Sequence, residues 1–214
     1  MFKLTKLTYF CNRVFLFIGL FLITISFKVF PSTNSPHLSN NSIELKNSTY
    51  RKYEKDKEQL VIKSTKGNIN LRNKAFNLMG EVEGKFSLDG KTVSLRSESL
   101  TGNLLNKSMV SKEKVIFLTN SIEIISSSME MTQTQSEGVK ILFMNANLSN
   151  INSKLNILRG KANKIEFFPA KDLIFMEGDA ELSQENMIII SDEIHYDLNE
   201  ERILKSVNSK IINN

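Results

Sequence analysis

A single cysteine, Cys11, stands among 214 residues, so an intrachain disulfide or a cysteine-based metal cluster is excluded and any domain must stand on its own core. Tryptophan is absent, and nine glycines and three prolines exclude a collagen-like or Pro/Gly-rich disordered chain. The two histidines, His37 and His195, are far apart and neither has a second ligand at metal spacing. They read as structural or solvated groups, and no metal or cofactor is expected. G-x-S-x-G, a phosphate-cradling glycine loop and H-E-x-x-H are all missing, and catalysis is not expected.

A surplus of one charge is confined to one end. Residues 1–74 hold 13 Lys and Arg against 4 Asp and Glu, a net of +9, whereas residues 75–214 hold 15 against 19, a net of −4. The body is mildly acidic and has no basic patch with interleaved aromatics, so nucleic acid is not an expected partner. The mixed-sign run "YRKYEKDKEQL" at 50–60 reads as a solvated strand or turn, with a positively biased rim near anionic head groups as the weaker reading.

The one long apolar run is "VFLFIGLFLITISF" at 14–27, preceded by Lys3, Lys6 and Arg13 with no acidic residue in the first 43. A cleaved signal would need a small-x-small site, and Thr24 and Ser26 before Lys28, Val29 and Phe30 make a poor one. Extended through Lys28, whose stem can snorkel, the span 14–30 reaches the lower limit for crossing a bilayer. An uncleaved transmembrane anchor over 14–30 is the preferred reading. The positive-inside rule then makes 1–13 a cytoplasmic tail. Residues 31–48, with two prolines and many Ser and Asn, read as a linker, and 49–214 as a domain outside the cytoplasm.

That domain alternates with period two, the mark of half-buried strands. Phe76, Leu78, Gly80, Val82, Gly84, Phe86 and Leu88 share one face, with Glu81, Glu83, Lys85 and Ser87 on the other. Ile116, Leu118, Ile122 and Ile124 form a second apolar set, and Ile174, Met176, Ala180 and Leu182 a third, with Glu177, Asp179 and Glu181 opposite. A signature recurs in "LMGEVE" at 78–83, "LTNSIE" at 118–123 and "MEGDAE" at 176–181. The first and third copies extend further at an offset of 94: Ser97 with Ser191, Leu100 with Ile194, Leu104 with Leu198, Met109 and Val110 with Ile203 and Leu204. The gap from Gly80 to Ser97 exceeds that from Gly178 to Ser191 by four, 17 against 13. The extra length falls at the hairpin tip "LDGKT", where Asp89-Gly90 is the strongest turn signal. Hairpins of this kind cannot bury an apolar face alone and must stack or close on one another. The expected fold is all-β, with 12 to 16 short strands in two facing sheets or an open barrel. The recurring carboxylates lie on outer faces, where they are solvated and unsuited to acid–base work. The apolar interior is either plain core or a groove for acyl chains between halves that do not fully close.

The unit in "GNINLRNKAFNLMGEVEGKFSLDGKTVSLRSESLTGNL" at 67–104 and "KANKIEFFPAKDLIFMEGDAELSQENMIIISDEIHYDL" at 161–198 combines K-A-N/D-K, an L-x-G-x-V/A-x strand, and S/A-D/E followed by an apolar residue and a later Leu. This array resembles the OstA-type β-jellyroll of the periplasmic LptA/LptC lipopolysaccharide-transport proteins, over roughly residues 45–212. With the anchor, it is similar to the bitopic LptC-like members. The resemblance implies a membrane-anchored carrier in the inner membrane, N-terminus cytoplasmic and β-jellyroll periplasmic. Such a protein accepts lipopolysaccharide from an LptB/LptF/LptG-type ABC transporter and passes it to an LptA-like bridge. It also implies acyl-chain contact by Phe76, Leu78, Val82, Phe86, Leu95, Ile116, Leu118, Ile122, Ile124, Met176, Ala180 and Leu182. Partner contact falls to the C-terminal edge through Ile203, Leu204, Val207 and Ile211, and transporter contact to residues 14–30. From Lys161 onward the chain is as similar to LptA as to LptC. A soluble bridge with a cleaved signal therefore stays open, as does a membrane-tethered structural β-scaffold without ligand.

Overall fold

The computed structural model describes residues 42–54, 57–88, 90–106, 108–134, 138–151 and 157–213. The expected cytoplasmic tail, anchor and most of the linker lie outside these residues, as does His37. Among the described residues fourteen antiparallel strands form one continuous sheet. They are β1 (Ser42–Glu54), β2 (Lys57–Asn70), β3 (Ala75–Leu88), β4 (Lys91–Asn103), β5 (Ser108–Ser111), β6 (Val115–Leu118), β7 (Ile122–Ser126), β8 (Ser128–Thr134), β9 (Gly138–Asn150), β10 (Leu158–Phe168), β11 (Leu173–Gln184), β12 (Met187–Asp197), β13 (Arg202–Val207) and β14 (Lys210–Asn213). The sheet order runs β1-β2-β3-β4-β5-β8-β9-β10-β11-β12-β13, with β6 and β7 bridging β4 to β9 and β14 beside β13 on β12. β1 begins at Ser42, so 42–48, expected to be linker, are strand: Ile43 and Leu45 alternate with Glu44 and Lys46 and pair with Ile69 and Gly67.

A line of irregularities crosses the sheet and folds it into two leaves. The pairing register shifts between Lys63 and Lys66, between Met79 and Val82, between Lys161 and Lys164, and between Glu177 and Ala180. The same line passes through the breaks between β5 and β6, β7 and β8, and β13 and β14. On it, Gly80 and Glu81 take φ of 69° and 49°, and Gly178 and Asp179 take 74° and 48°. A left-handed pair inserts the extra residue that bends a strand. The recurring Gly-Glu and Gly-Asp of "LMGEVE" and "MEGDAE" are thus paired β-bulges. Gly80 is exposed and does not share the inner face of Leu78 and Val82, which corrects the alternation drawn through it. "LTNSIE" is not a copy of this unit, because Thr119, Asn120 and Ser121 form the turn between β6 and β7.

Immediately inside this crease, small residues face each other: Ser48 with Ser64, Ala146 with Ala162, and Ala180 with Ser191. Two leaves converging on a fold line leave no room for larger side chains. Away from it the leaves separate and the interior fills with Leu, Ile and Phe. Phe117 on β6 meets Phe143 on β9 edge-on at 5.1 Å and Phe167 on β10 at 6.1 Å. These contacts span the interior, since β6 and the beginning of β9 lie on opposite sides of the crease. Leaf 1 carries β6, β7, β14 and one half of each long strand; leaf 2 carries β5, β8, β13 and the other halves.

Candidate lipid-binding interior

Ten of the twelve residues expected to face acyl chains point into the space between the leaves: Phe76, Leu78, Val82, Phe86, Leu95, Ile122, Ile124, Met176, Ala180 and Leu182 are all buried. Ile116 and Leu118 are not among them. Val115 and Phe117 take the inner face at 0% exposure, leaving Ile116 and Leu118 half-buried on the outside. An alternation unbroken from 116 to 124 would place them inside. The Thr119–Ser121 turn shifts its phase, so that Phe117 pairs with Ile124 and Ile116 with Ile125.

Near β1 the interior holds a small gap. There Leu45, Tyr50, Ile62, Ile69, Phe76, Leu78 and Leu104 surround a cavity of about 20 Å³ with Ser48 and Ser64 at its crease side. The Ser48 and Ser64 hydroxyls are 3.2 Å apart, and burial pushes the Tyr50 phenol above its ordinary pKa. Hydroxyls continue along the crease: Ser97 and Ser111 Oγ are 2.7 Å apart, and Ser191 Oγ donates to the Glu193 carbonyl at 2.8 Å. Ser126 is also buried there, and its hydroxyl has no hydrogen-bond partner among the described residues. The interior therefore suits long apolar chains, with sparse hydroxyls along one line.

The outer face is polar, and its carboxylates tie neighbouring strands together. Lys164 Nζ donates to Glu177 at 2.8 Å and Lys161 lies 2.7 Å from Glu181. Asn163 Nδ2 donates to Asp179 at 3.0 Å. The hydrogen bonds it donates to Glu177 and Glu166 hold the Lys164 ammonium above its ordinary pKa. A trough of about 780 Å³ on this side is lined by Lys63, Glu83, Arg96, Lys114 and Ile116 among others, with Arg96 3.3 Å from Glu83. His195 stacks on Phe175 with centroids 4.1 Å apart and pairs with Glu193. Glu193 also accepts from Lys205 at 3.0 Å, which lowers its pKa. Among the described residues no group of three His, Cys, Asp or Glu could hold a metal ion.

The C-terminal edge residues sit on strands that pair with β12 on one side: Ile203, Leu204 and Val207 on β13, Ile211 on β14. Leu204 is 46% and Ile211 60% exposed. Beside them Ile190 is also exposed, because "MIII" at 187–190 is apolar on both faces.

Two leaves of one creased antiparallel sheet, apolar within and ending in strands at both sides, match known proteins. The family described as LptA/(LptD N-terminal domain) LPS transport protein matches residues 94–202, 109 of the 214 in the chain. The chain belongs to this family. Its members are transport proteins and not enzymes. The fold is also that of LptH from Pseudomonas aeruginosa, the LptA-homologous periplasmic component of a lipopolysaccharide transport device. The TM-score is 0.51 at 12% identity, covering 57% of this chain and 94% of that one. No curated protein matches the chain. The match runs from Ser94 to Arg202, so it contains the crease from β4 to β12 and the Phe117–Phe143–Phe167 cluster. Alternation along the chain does not single out that cluster, nor Ser48, Ser64, Ser111 and Ser126 on the crease. The crease had a legible signal in the serines paired by the offset of 94, Ser97 and Ser191.

Proposed function

We propose that this member of the LPS transport family is a periplasmic lipopolysaccharide carrier held in the inner membrane by residues 14–30. It takes lipopolysaccharide from an ABC transporter of the LptB/LptF/LptG type and passes it to an LptA-like bridge. One observation carries this reading: an apolar interior bounded by two leaves of a sheet that ends at β1 on one side and at β13 and β14 on the other. Terminal strands can be extended by a partner's strand through main-chain hydrogen bonds. A neighbour added at Leu204 and Ile211 would prolong the apolar interior. A soluble bridge is the second reading, favoured by the likeness to LptH.

Photo-crosslinkers at Phe76 or Val82, both buried inside, are expected to capture lipopolysaccharide in cells, whereas those at Glu81 or Glu83, both exposed, are not. Equal labelling of both faces refutes the carrier. Recovery of the intact N-terminus from the membrane fraction supports the anchored form. A mature terminus near Phe27 would instead make the protein the bridge.

A further inference from the structure

The two long repeated hairpins differ at their tips. From the equivalent crease pairs Val82–Ser97 and Ala180–Ser191, the β3–β4 hairpin runs to Leu88–Lys91, but the β11–β12 hairpin only to Gln184–Met187. Each arm of the first is two residues longer, about 7 Å at 3.3 Å per residue. Lys91 lies in that added length. Its Nζ donates to the Pro169 carbonyl at 3.0 Å and pairs with the Asp172 carboxylate. Both acceptors belong to the turn between β10 and β11, on the opposite leaf. That turn is itself anchored: Lys171 N donates to Phe168 O at 3.1 Å, and Leu198 N to Asp172 O at 2.9 Å. The pairs Arg96–Glu83, Lys161–Glu181, Lys164–Glu177 and Lys205–Glu193 all join strands adjacent in the sheet. Lys91–Asp172 instead ties leaf to leaf, at the side away from the crease.

This position matters because the side chains facing the interior are buried against one another, and the cavity beside β1 has room for about one water and not for an acyl chain, so an acyl chain enters only if the leaves part. The crease is a continuous bonded sheet and cannot open; the leaves must separate at their free ends. We propose that Lys91, with Pro169 and Asp172, is a clasp across that mouth: it holds the empty interior shut and releases when lipid loads. This rests on the carrier reading above and adds the element that gates entry. With side-chain exposures of 33% and 17%, the pair is only partly screened by salt.

The test follows loading of lipopolysaccharide bearing a fluorescent acyl reporter onto the full chain in detergent micelles, by stopped flow. Thermal melts accompany each variant. Lys91→Met and Asp172→Asn are each expected to load faster than wild type, by about two- to fivefold, the range a partly exposed ion pair supplies. Raising the salt should accelerate wild type but leave Lys91→Met unchanged. The double exchange Lys91→Asp with Asp172→Lys should restore part of the delay, which loss of packing alone would not do. Wild-type rates and wild-type salt response in both single variants overturn the clasp while leaving the carrier intact. A wild type that takes up no lipopolysaccharide refutes the carrier and the clasp together.

Discussion

Replacing Phe117 by alanine tests the arrangement of the interior most directly, because its neighbour Ile116 supplies the control. Phe117 is wholly buried, and its ring meets Phe143 at 61° and Phe167 at 71°. Truncating a buried phenylalanine costs about 3–5 kcal/mol. Two edge-on ring contacts, each worth about 0.5–1.5 kcal/mol beyond burial, put this site in the upper part of that range. For a domain of this size 1 kcal/mol moves the melting temperature by about 2–4 °C. Phe117→Ala should therefore lower it by roughly 8–20 °C. Ile116→Ala removes a half-buried outer side chain and should cost about 1 kcal/mol, or about 2–4 °C. The assay is far-UV circular dichroism melting of both variants beside wild type. Equal losses, or a larger loss for Ile116→Ala, would show that β6 presents the opposite face and that the two leaves do not pack as described.

Two further outcomes follow from the crease and from Tyr196. Gly178→Ala introduces a Cβ at φ 74° that lies 3.0 Å from Asn163 Nδ2 and 3.2 Å from its Cβ, so it should destabilise by about 1–2 kcal/mol in denaturant unfolding; an unchanged midpoint would remove the bulge from the account of the bend. The phenol of Tyr196 is pushed up to about 12, by burial first and then by Glu201 and Asp197. The folded state thus favours its neutral form. The stability this gives is fully present below pH about 10, the ordinary tyrosine value, and is lost as the pH rises through about 12. Alkaline titration by ultraviolet absorbance should show a late tyrosinate step coinciding with unfolding, and removal of that step in Tyr196→Phe; a Tyr196 that ionises near pH 10 in the folded protein contradicts its burial.

Much of this architecture was legible along the chain. In β3, Phe76, Leu78, Val82, Gly84 and Phe86 all fall inside as alternation requires, and Glu83 and Lys85 fall outside. Period two specifies a face wherever a strand is uninterrupted. It failed at Ile116 and Leu118, because a three-residue turn between two short strands resets the phase. It also misassigned Gly80, because a bulge adds a residue without any change of hydropathy. The acidic residues beside Gly80 and Gly178 were correctly read as outer groups. Their left-handed backbone, however, depends on both neighbouring strands and is invisible in a single segment.

The sequence by itself determined the class of fold, the hairpin repeat, and the inner and outer faces of the long strands. These follow from local alternation, turn residues and composition, each confined to a few consecutive positions. Only the tertiary structure decided where the sheet creases, that Phe117 meets Phe143 and Phe167 across the interior, and that Lys91 reaches Asp172 81 residues away. Contacts between leaves depend on twist, bulge position and arm length summed over many strands. No short stretch of residues contains that sum.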